Sequence, residues 1–537
     1  MSLYATVDKG DGVDSMTIAD TLMAANGKSY PSEKVFVAAF EYVAEESRKL
    51  LRKRRIGVKR GEIQWIITVP AIWNDHAKDK MKEWAIKAGL VNPKIDNQCK
   101  IVYEPDSASL AMQYELKRQQ IDNDEKQDLE GEQESNKYLA FSKGEKYVLV
   151  DAGGGTVDIA CHEVLSDGHN GEYGVKEILH PSGGAWGSCY IDDEYVNVLE
   201  TIFSKEWMDA LKTKYPAVFT ELVDEFQKAK ETFFTDTETA KHDVELPSDF
   251  INFMLEKVDE SGDDEQEQLE DIISKAVINN KRNLIKLEDE RLEIDDSVWQ
   301  QMFDRVLNPM IAHIRTLLHK PEMRRNCKYI CLAGGFSASL YFQHRIQQEF
   351  GPQSRYNLMA IIPQKPILAV VQGAAYFGIV ENYIKARVLK YSYGFGTAKE
   401  VETAMKTGVA EKWIEANSYF DRAFQTHLVD GLFSVVVAKG QQVFTGQYFS
   451  GKVDKNPAEK FTDLHLLCSD RQDPKTVMDS KEIGSIRIYH NPRDWRIKQV
   501  GIEYHFYDTM IEIYVFPEGK KHLKQKVKIK YSEISDA

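Results

Sequence analysis

Three consecutive glycines, Gly153, Gly154 and Gly155, stand between two apolar stretches, and few folds accommodate that arrangement. Tyr147 to Val150 is a continuous apolar run, and Val157, Ile159 and Cys161 alternate with Asp158 and His162. The segment reads as two strands joined by a glycine apex. A turn without Cβ atoms lets backbone N–H groups approach a phosphate and point at its oxygens. Asp151 at the strand end and Thr156 just past the turn supply hard oxygens suited to magnesium, directly or through water. A bare glycine triplet is more often a plain turn, but Asp151, Thr156 and Asp158 flanking it between apolar strands favour the phosphate reading.

Upstream, Ser32 to Arg54 reads as a helix opened by Pro31, with Val35, Ala39, Tyr42 and Val43 on one face. Ile66 to Val69 is a strand, Pro70 breaks it, and Asn74 or Asp75 can cap a helix carrying Ala77, Met81, Trp84, Ala85 and Ala88. Lys100 to Tyr103 is a second strand, followed by Glu104-Pro105 and a helix from Asp106 to about Arg118. Residues 119–137 and the Asp259 to Asp271 stretch are acid-rich and predict solvated surface loops. Asp192 to about Leu287 is mostly helical. Tyr329 to Ala333 is another apolar strand, ended by Gly334-Gly335, with a helix from Ser339 to Phe350; Ile361 to Pro363 and a small-residue helix, Ala369 to Ile379, follow. Beyond about Arg387 the periodicity turns to short β segments with polar turns, predicting a separate β domain.

The 537 residues suffice for several domains, and 42% apolar with 28% charged residues is a globular composition. No stretch approaches the run of about 18 apolar residues that a membrane helix requires. The N-terminus lacks a basic region followed by an apolar one, so no secretory signal is expected and the chain is placed in the cytoplasm. A net charge of −15 argues against a phosphate-backbone binder, so no nucleic-acid partner is expected, although one nucleotide pocket stays compatible. The six cysteines are scattered, and Cys327 and Cys331 lack a second ligand pair for zinc; both read as core.

An internal echo ties these pieces together. The strand at Ile66 and its helix, then the strand at Val102 and its helix, are matched in order and spacing by Ile330 to Phe350 and then Pro363 to Ile379. The second pair follows the Asp151 hairpin, whereas no glycine hairpin precedes the first. Read alone, Glu104 is a strand-end surface acid and Gly334-Gly335 a helix-entry turn.

Taken together, these segments resemble the nucleotide-binding domain of the heat-shock-70 chaperone family, within the actin, hexokinase and heat-shock-70 superfamily. Thr68-Val69-Pro70-Ala71-Ile72-Trp73, Asp151-Ala152-Gly153-Gly154-Gly155-Thr156 and Ala333-Gly334-Gly335-Phe336-Ser337 are closer in wording to the divergent heat shock 70 kDa protein 12 branch than to the major chaperones. The resemblance spans about Val35 to Val380. It implies a two-lobed actin-like α/β ATPase fold, its first lobe (1–118) incomplete, then an acidic loop (119–137), a second lobe with a helical subdomain (138–387) and a small C-terminal β domain (388–537).

By position, the resemblance implies that Gly153, Gly154, Gly155 and Thr156 hold the β- and γ-phosphates of ATP or ADP. Asp151 and Glu104 would arrange water ligands of Mg²⁺, with Asp158 near the attacking water. Gly334 and Gly335 would approach the ribose and α-phosphate, and Lys230 the adenosine. Glu231 replaces an arginine that stacks on adenine in the family, Asp192 matches the end of a glycine-rich segment, and Ile367 occupies a position acidic in the major chaperones. The family's first phosphate hairpin and its later lysine have no match ahead of Ser32, and losing such donors costs more than about 10²-fold in phosphoryl transfer. The implied function is adenine-nucleotide binding with magnesium, in a chaperone or partner-binding adaptor whose clients meet the β domain and whose ATP hydrolysis is weak or absent. A nucleotide-independent scaffold and a metabolite kinase of the same superfamily are the alternatives.

Overall fold

The structure, a computed structural model, describes residues 4–7, 15–24, 28–92, 94–95, 98–130, 141–168, 172–234, 242–261, 269–278, 280–455, 460–489, 498–507, 511–527 and 529. It is a mixed α/β protein. Two short antiparallel pairs, Tyr4–Val7 with Ser15–Ile18 and Thr21–Met23 with Ser29–Pro31, precede helix α1 (Ser32–Lys53). Strand β1 (Trp65–Val69), helix α2 (Asp75–Lys87), strand β2 (Cys99–Tyr103) and helix α3 (Glu104–Glu130) follow. The side chain of Asn74 caps α2 by accepting from the Ala77 N–H at 2.9 Å, relieving one orphan donor of the first turn. Helical spacing then puts Ala77, Met81, Trp84 and Ala85 on one buried face against Val69, Ile72 and Trp73. β1 and β2 pair in parallel from Trp65↔Cys99 to Val69↔Tyr103, as the connecting helix requires.

Two expectations need correction here. Val35, Tyr42 and Val43 of α1 are exposed; the side of that helix that packs carries Phe36 and Ala44, with the Phe36 ring stacked on Trp84 at 5.1 Å. α3 does not stop near Arg118 but continues to Glu130, because the Gln, Lys, Asp and Glu residues of the expected acidic loop are compatible with helix as well as with solvent. Residues 131–137 of that loop lie outside the described residues, as do 262–268 of the second acid-rich stretch, which is flanked by the helices Ser248–Ser261 and Leu269–Lys275.

The main sheet is built on β3 (Lys146–Ala152), β4 (Val157–Asp167) and β5 (Tyr173–Gly184), an antiparallel meander. Then come α4 (Cys189–Phe203), α5 (Pro216–Thr232), α6 (Asp296–Leu318), β6 (Cys327–Ala333), β7 (Met359–Ile361), α7 (Ala369–Phe377) and β8 (Ile384–Val388). Among the described residues its order is β7-β6-β3-β4-β5-β8, closed by the short strand Gln442–Phe444. Tyr147 to Val150 is apolar throughout because both faces are covered. Tyr147 and Leu149 pack with Ala108 and Met112 of α3, whereas Val148 and Val150 pack on the helical side with α4 and α6. Cys331 belongs to the first of these cores and is fully buried, so its role is packing. The internal echo is visible as topology: β6 and β7, like β1 and β2, are a parallel pair with a helix between and a helix after.

Beyond β8 the chain forms a five-stranded and a four-stranded sheet among the described residues, sharing a core of Tyr393, Phe395, Leu466, Ile502, Tyr504 and Val515. The short helices Val401–Met405 and Glu411–Ala416 in this region have no counterpart in the sequence reading. The expected boundary at 387 falls inside β8. Gln442–Phe444 returns to pair with that strand, and Thr445 Oγ1 donates to the Ile384 carbonyl at 2.8 Å, so the β region is laced into the main sheet. Among the described residues no helix is long and apolar enough to cross a membrane.

Candidate functional site

The hairpin between β3 and β4 places Asp151 directly opposite Asp158, with Ala152 and Val157 the last pair before the turn. The Gly153 N–H donates to the Thr156 carbonyl at 2.9 Å and closes the apex. Gly154 is exposed, and apart from its chain neighbours no atom lies within 4 Å of where its Cβ would sit. The amides of Gly154 and Gly155 have no hydrogen-bond partner among the described residues, so the turn presents donors to open space. None of the three glycines has a positive φ. The backbone geometry alone therefore does not demand them.

The N-terminus of α4 buttresses this turn from behind. The Ser188 and Cys189 amides donate to the Gly153 and Gly154 carbonyls at 3.1 and 2.8 Å. A Cβ on Gly187 would lie 2.2 Å from the Gly154 oxygen, so only glycine permits the approach. With its carbonyls bound to α4, the hairpin is held with its free N–H groups facing away. Lys230 of α5 is part of this support: its ammonium donates to the Ser188 carbonyl at 3.0 Å and pairs with Asp192, which also accepts from Gln227 at 2.9 Å. Lys230 is thus placed close behind the turn but engaged by a carboxylate.

Three carboxylates meet beside the apex. Asp151 is the penultimate residue of β3, Asp158 the second of β4, and Glu104 opens α3. Asp158 Oδ1 accepts the Ile72 N–H at 2.9 Å, joining the hairpin to the loop after β1, and Thr156 also bonds to Asp158. Burial pushes the Asp158 carboxyl up to about 6, against those hydrogen bonds. Burial and then the charge of Asp158 push Asp151 up to about 7. Glu104 is driven well above the usual carboxylate range by burial, Asp151 and Asp158. Among the described residues no lysine or arginine pairs with any of the three, and no three acid, histidine or cysteine side chains converge closely enough to ligate a metal directly. A buried acidic cluster without a cation fits a divalent ion held mostly through water.

Gly334 follows β6, which lies beside β3 in the sheet, at φ +82°. A Cβ there would sit 2.2 Å from the Ala152 oxygen and 2.7 Å from Asp151 Oδ1. Its glycine is required by that contact and by the backbone. Gly335 comes next, 3.7 Å from Ile367 at its would-be Cβ, and Ile367 is 69% exposed. The fold therefore brings Asp151, Asp158, Glu104, the glycine turn, Thr156 and Gly334 together, with Gly335 adjoining and Lys230 reached through Ser188. Sequence reasoning did not single out the Ile72 amide or the Gly187 approach as parts of this arrangement. The first is a backbone group that any residue carries, and for the second the signal was Gly187 at the start of the glycine-rich segment that ends at Asp192.

Residues 142–354 match a family described as a domain of unknown function (DUF8340), a stretch that contains the hairpin, α4 to α6 and Gly334. Over 527 residues the chain is 29% identical to human heat shock 70 kDa protein 12A, covering 91% of this chain and 72% of the relative, with the same figures for the mouse protein. Human heat shock 70 kDa protein 12B is 28% identical over 515 residues, covering 89% and 71%. This similarity extends across the hairpin, the sheet and the β region alike, and it supports the resemblance of the chain to the divergent heat shock 70 kDa protein 12 branch.

Proposed function

We propose that the β3–β4 hairpin binds the phosphates of ATP or ADP together with Mg²⁺, and that the chain is an atypical heat-shock-70-like chaperone or partner-binding adaptor. The observation that carries the reading is the juxtaposition of Gly154 and Gly155 amides with a buried carboxylate trio, the amides without a partner and the trio without a protein cation among the described residues. A phosphate chain next to those acids would be repelled unless a divalent ion lay between them, so phosphate and metal each make the other's binding favourable. Asp151 and Glu104 would orient the ion's water shell, and Asp158 would lie beside them. Mg²⁺, when bound, supplies positive charge to the phosphate oxygens. Thr156 and the glycine amides would fix the phosphates, Gly334 and Gly335 would flank the ribose, and Lys230 would border the adenosine.

In this reading residues 1–118 and 138–387 are two lobes flanking the nucleotide, and residues 388–537 present the surface for client or partner proteins. Hydrolysis is weak, because among the described residues the donors come from one hairpin and no cationic side chain accompanies the acids. Calorimetric titration with ATP and ADP, with and without Mg²⁺, tests the proposal. Binding that requires the ion supports it; absence of heat for both nucleotides at millimolar concentration would leave a nucleotide-independent scaffold.

A further inference from the structure

A cavity of about 100 Å³ lies where α2, β5 and the segment after β8 meet the C-terminal β region. Its charged lining is nearly all compensated. Lys78 donates to Asp75 at 2.9 Å and to the Tyr103 hydroxyl at 2.7 Å. Arg387 is clasped by Glu177 and by Asp106, the latter at 2.8 Å. His180 is held neutral, its ring pushed down to about 3 by burial and by neighbouring cations, with Nδ1 at 3.2 Å from the Val388 carbonyl.

Lys390 is different. It lines the same cavity, is half-buried, and has no carboxylate at ion-pairing distance among the described residues; the Tyr391 ring lies 5.3 Å from its ammonium. Burial and the nearby Lys78 pull its ammonium down to about 8, with Lys439 adding to the effect and Asp75 opposing it. The remaining walls are largely apolar or aromatic, including Leu389, Val443, Phe506 and Ile511. A half-buried ammonium without a counter-ion is costly, and an arriving anion would remove that cost.

We propose that this cavity binds a small organic monoanion, a carboxylate on a compact apolar body, with Lys390 as its counter-ion. One uncompensated positive charge matches one negative charge; a phosphate dianion would bring a second charge that Lys390 does not offset. The apolar walls suit a body that benefits from leaving water. Because the cavity is walled by the main body on one side and the β region on the other, the ligand bridges the two.

The probe is benzoate, titrated calorimetrically into the full chain, with benzamide as the neutral analogue of the same shape. Benzoate should bind, and both benzamide and the Lys390→Gln variant should show affinity about tenfold weaker or more, the loss expected for a charge-assisted contact. Independently of any variant, trace acetylation at neutral pH followed by peptide mass spectrometry should label Lys390 ahead of exposed lysines, and benzoate should protect it selectively. The Gly154→Val variant should bind benzoate as the parent does. Absence of benzoate binding, equal binding of benzamide, an unaffected Lys390→Gln variant or an unprotected Lys390 would each overturn the proposal. So would loss of benzoate binding in Gly154→Val, which would place the carboxylate at the phosphate hairpin.

Discussion

Asp151, Asp158 and Glu104 are individually ordinary acids whose properties come from being buried together, and their titration follows from that. Each has a folded-state pKa raised above its unfolded value, so it binds its proton more tightly in the native state. The stability it contributes is full below about pH 4 and is lost as pH rises through about 6 for Asp158 and about 7 for Asp151. Asp151→Asn removes the repelled charge, and in metal-free buffer the variant should exceed the parent in stability at pH 8, by on the order of 2 kcal/mol, while matching it near pH 4. Urea unfolding at the two pH values measures this, and equal destabilisation at both would mean that the carboxylate is favourably paired. Gly154 argues the opposite case at the same scale. A side chain there meets no protein atom and no backbone strain, so Gly154→Val should shift the melting temperature little and abolish nucleotide binding by filling the phosphate's place. ATP affinity unchanged in that variant would show that the phosphates bind elsewhere.

Between elements, glycine acts through close approach instead. α3 and α7 cross so tightly that a Cβ on Gly373 would sit 1.7 Å from the Ser107 carbonyl oxygen, which belongs to rigid helix backbone. Gly373→Ala should therefore force the helices apart and cost about 2–3 kcal/mol in chemical denaturation, against the slight gain that alanine normally brings to a helix. A neutral or stabilising result would show that α7 shifts freely on α3. Part of the fold was legible in the sequence because local patterns carry it. Alternating or continuous apolar runs identified β1, β3, β4 and β6, and an Asn cap followed by helical spacing identified α2. The face of α1 was misread because apolar periodicity says that a side could be buried, not which side finds a partner: Phe36 finds Trp84, whereas Tyr42 stays in solvent. The length of α3 was misread because a polar sequence permits a helix and a loop equally.

At the scale of the whole molecule, the glycine hairpin is supported by parts far apart in the chain: the loop after β1 through Ile72, the start of α4, the end of β6 through Gly334, and the start of α3 through Glu104. The proposed phosphate site thus draws N–H donors from one hairpin and acids from several elements, with no lysine or arginine paired to those acids among the described residues. Steady-state phosphate release should accordingly be slower, by about 10²-fold or more, than for a site that clamps the phosphates from two sides, even with saturating Mg²⁺ and ATP. Rapid turnover would contradict the one-sided arrangement. Sequence alone determined the glycine turn, its flanking Asp151, Thr156 and Asp158, the repeated strand-helix pairs and the β-rich final third, because these depend on local chemistry and on periodicities of two and 3.6 residues. Only the tertiary structure decided that Asp151, Asp158 and Glu104 share one buried pocket and repel each other, that Lys230 is already paired with Asp192, and that the segment after Arg387 continues a strand of the main sheet. Those outcomes depend on which distant groups come within a few ångströms of one another, and charge, burial and hydrogen bonding at that range are properties of the packed chain.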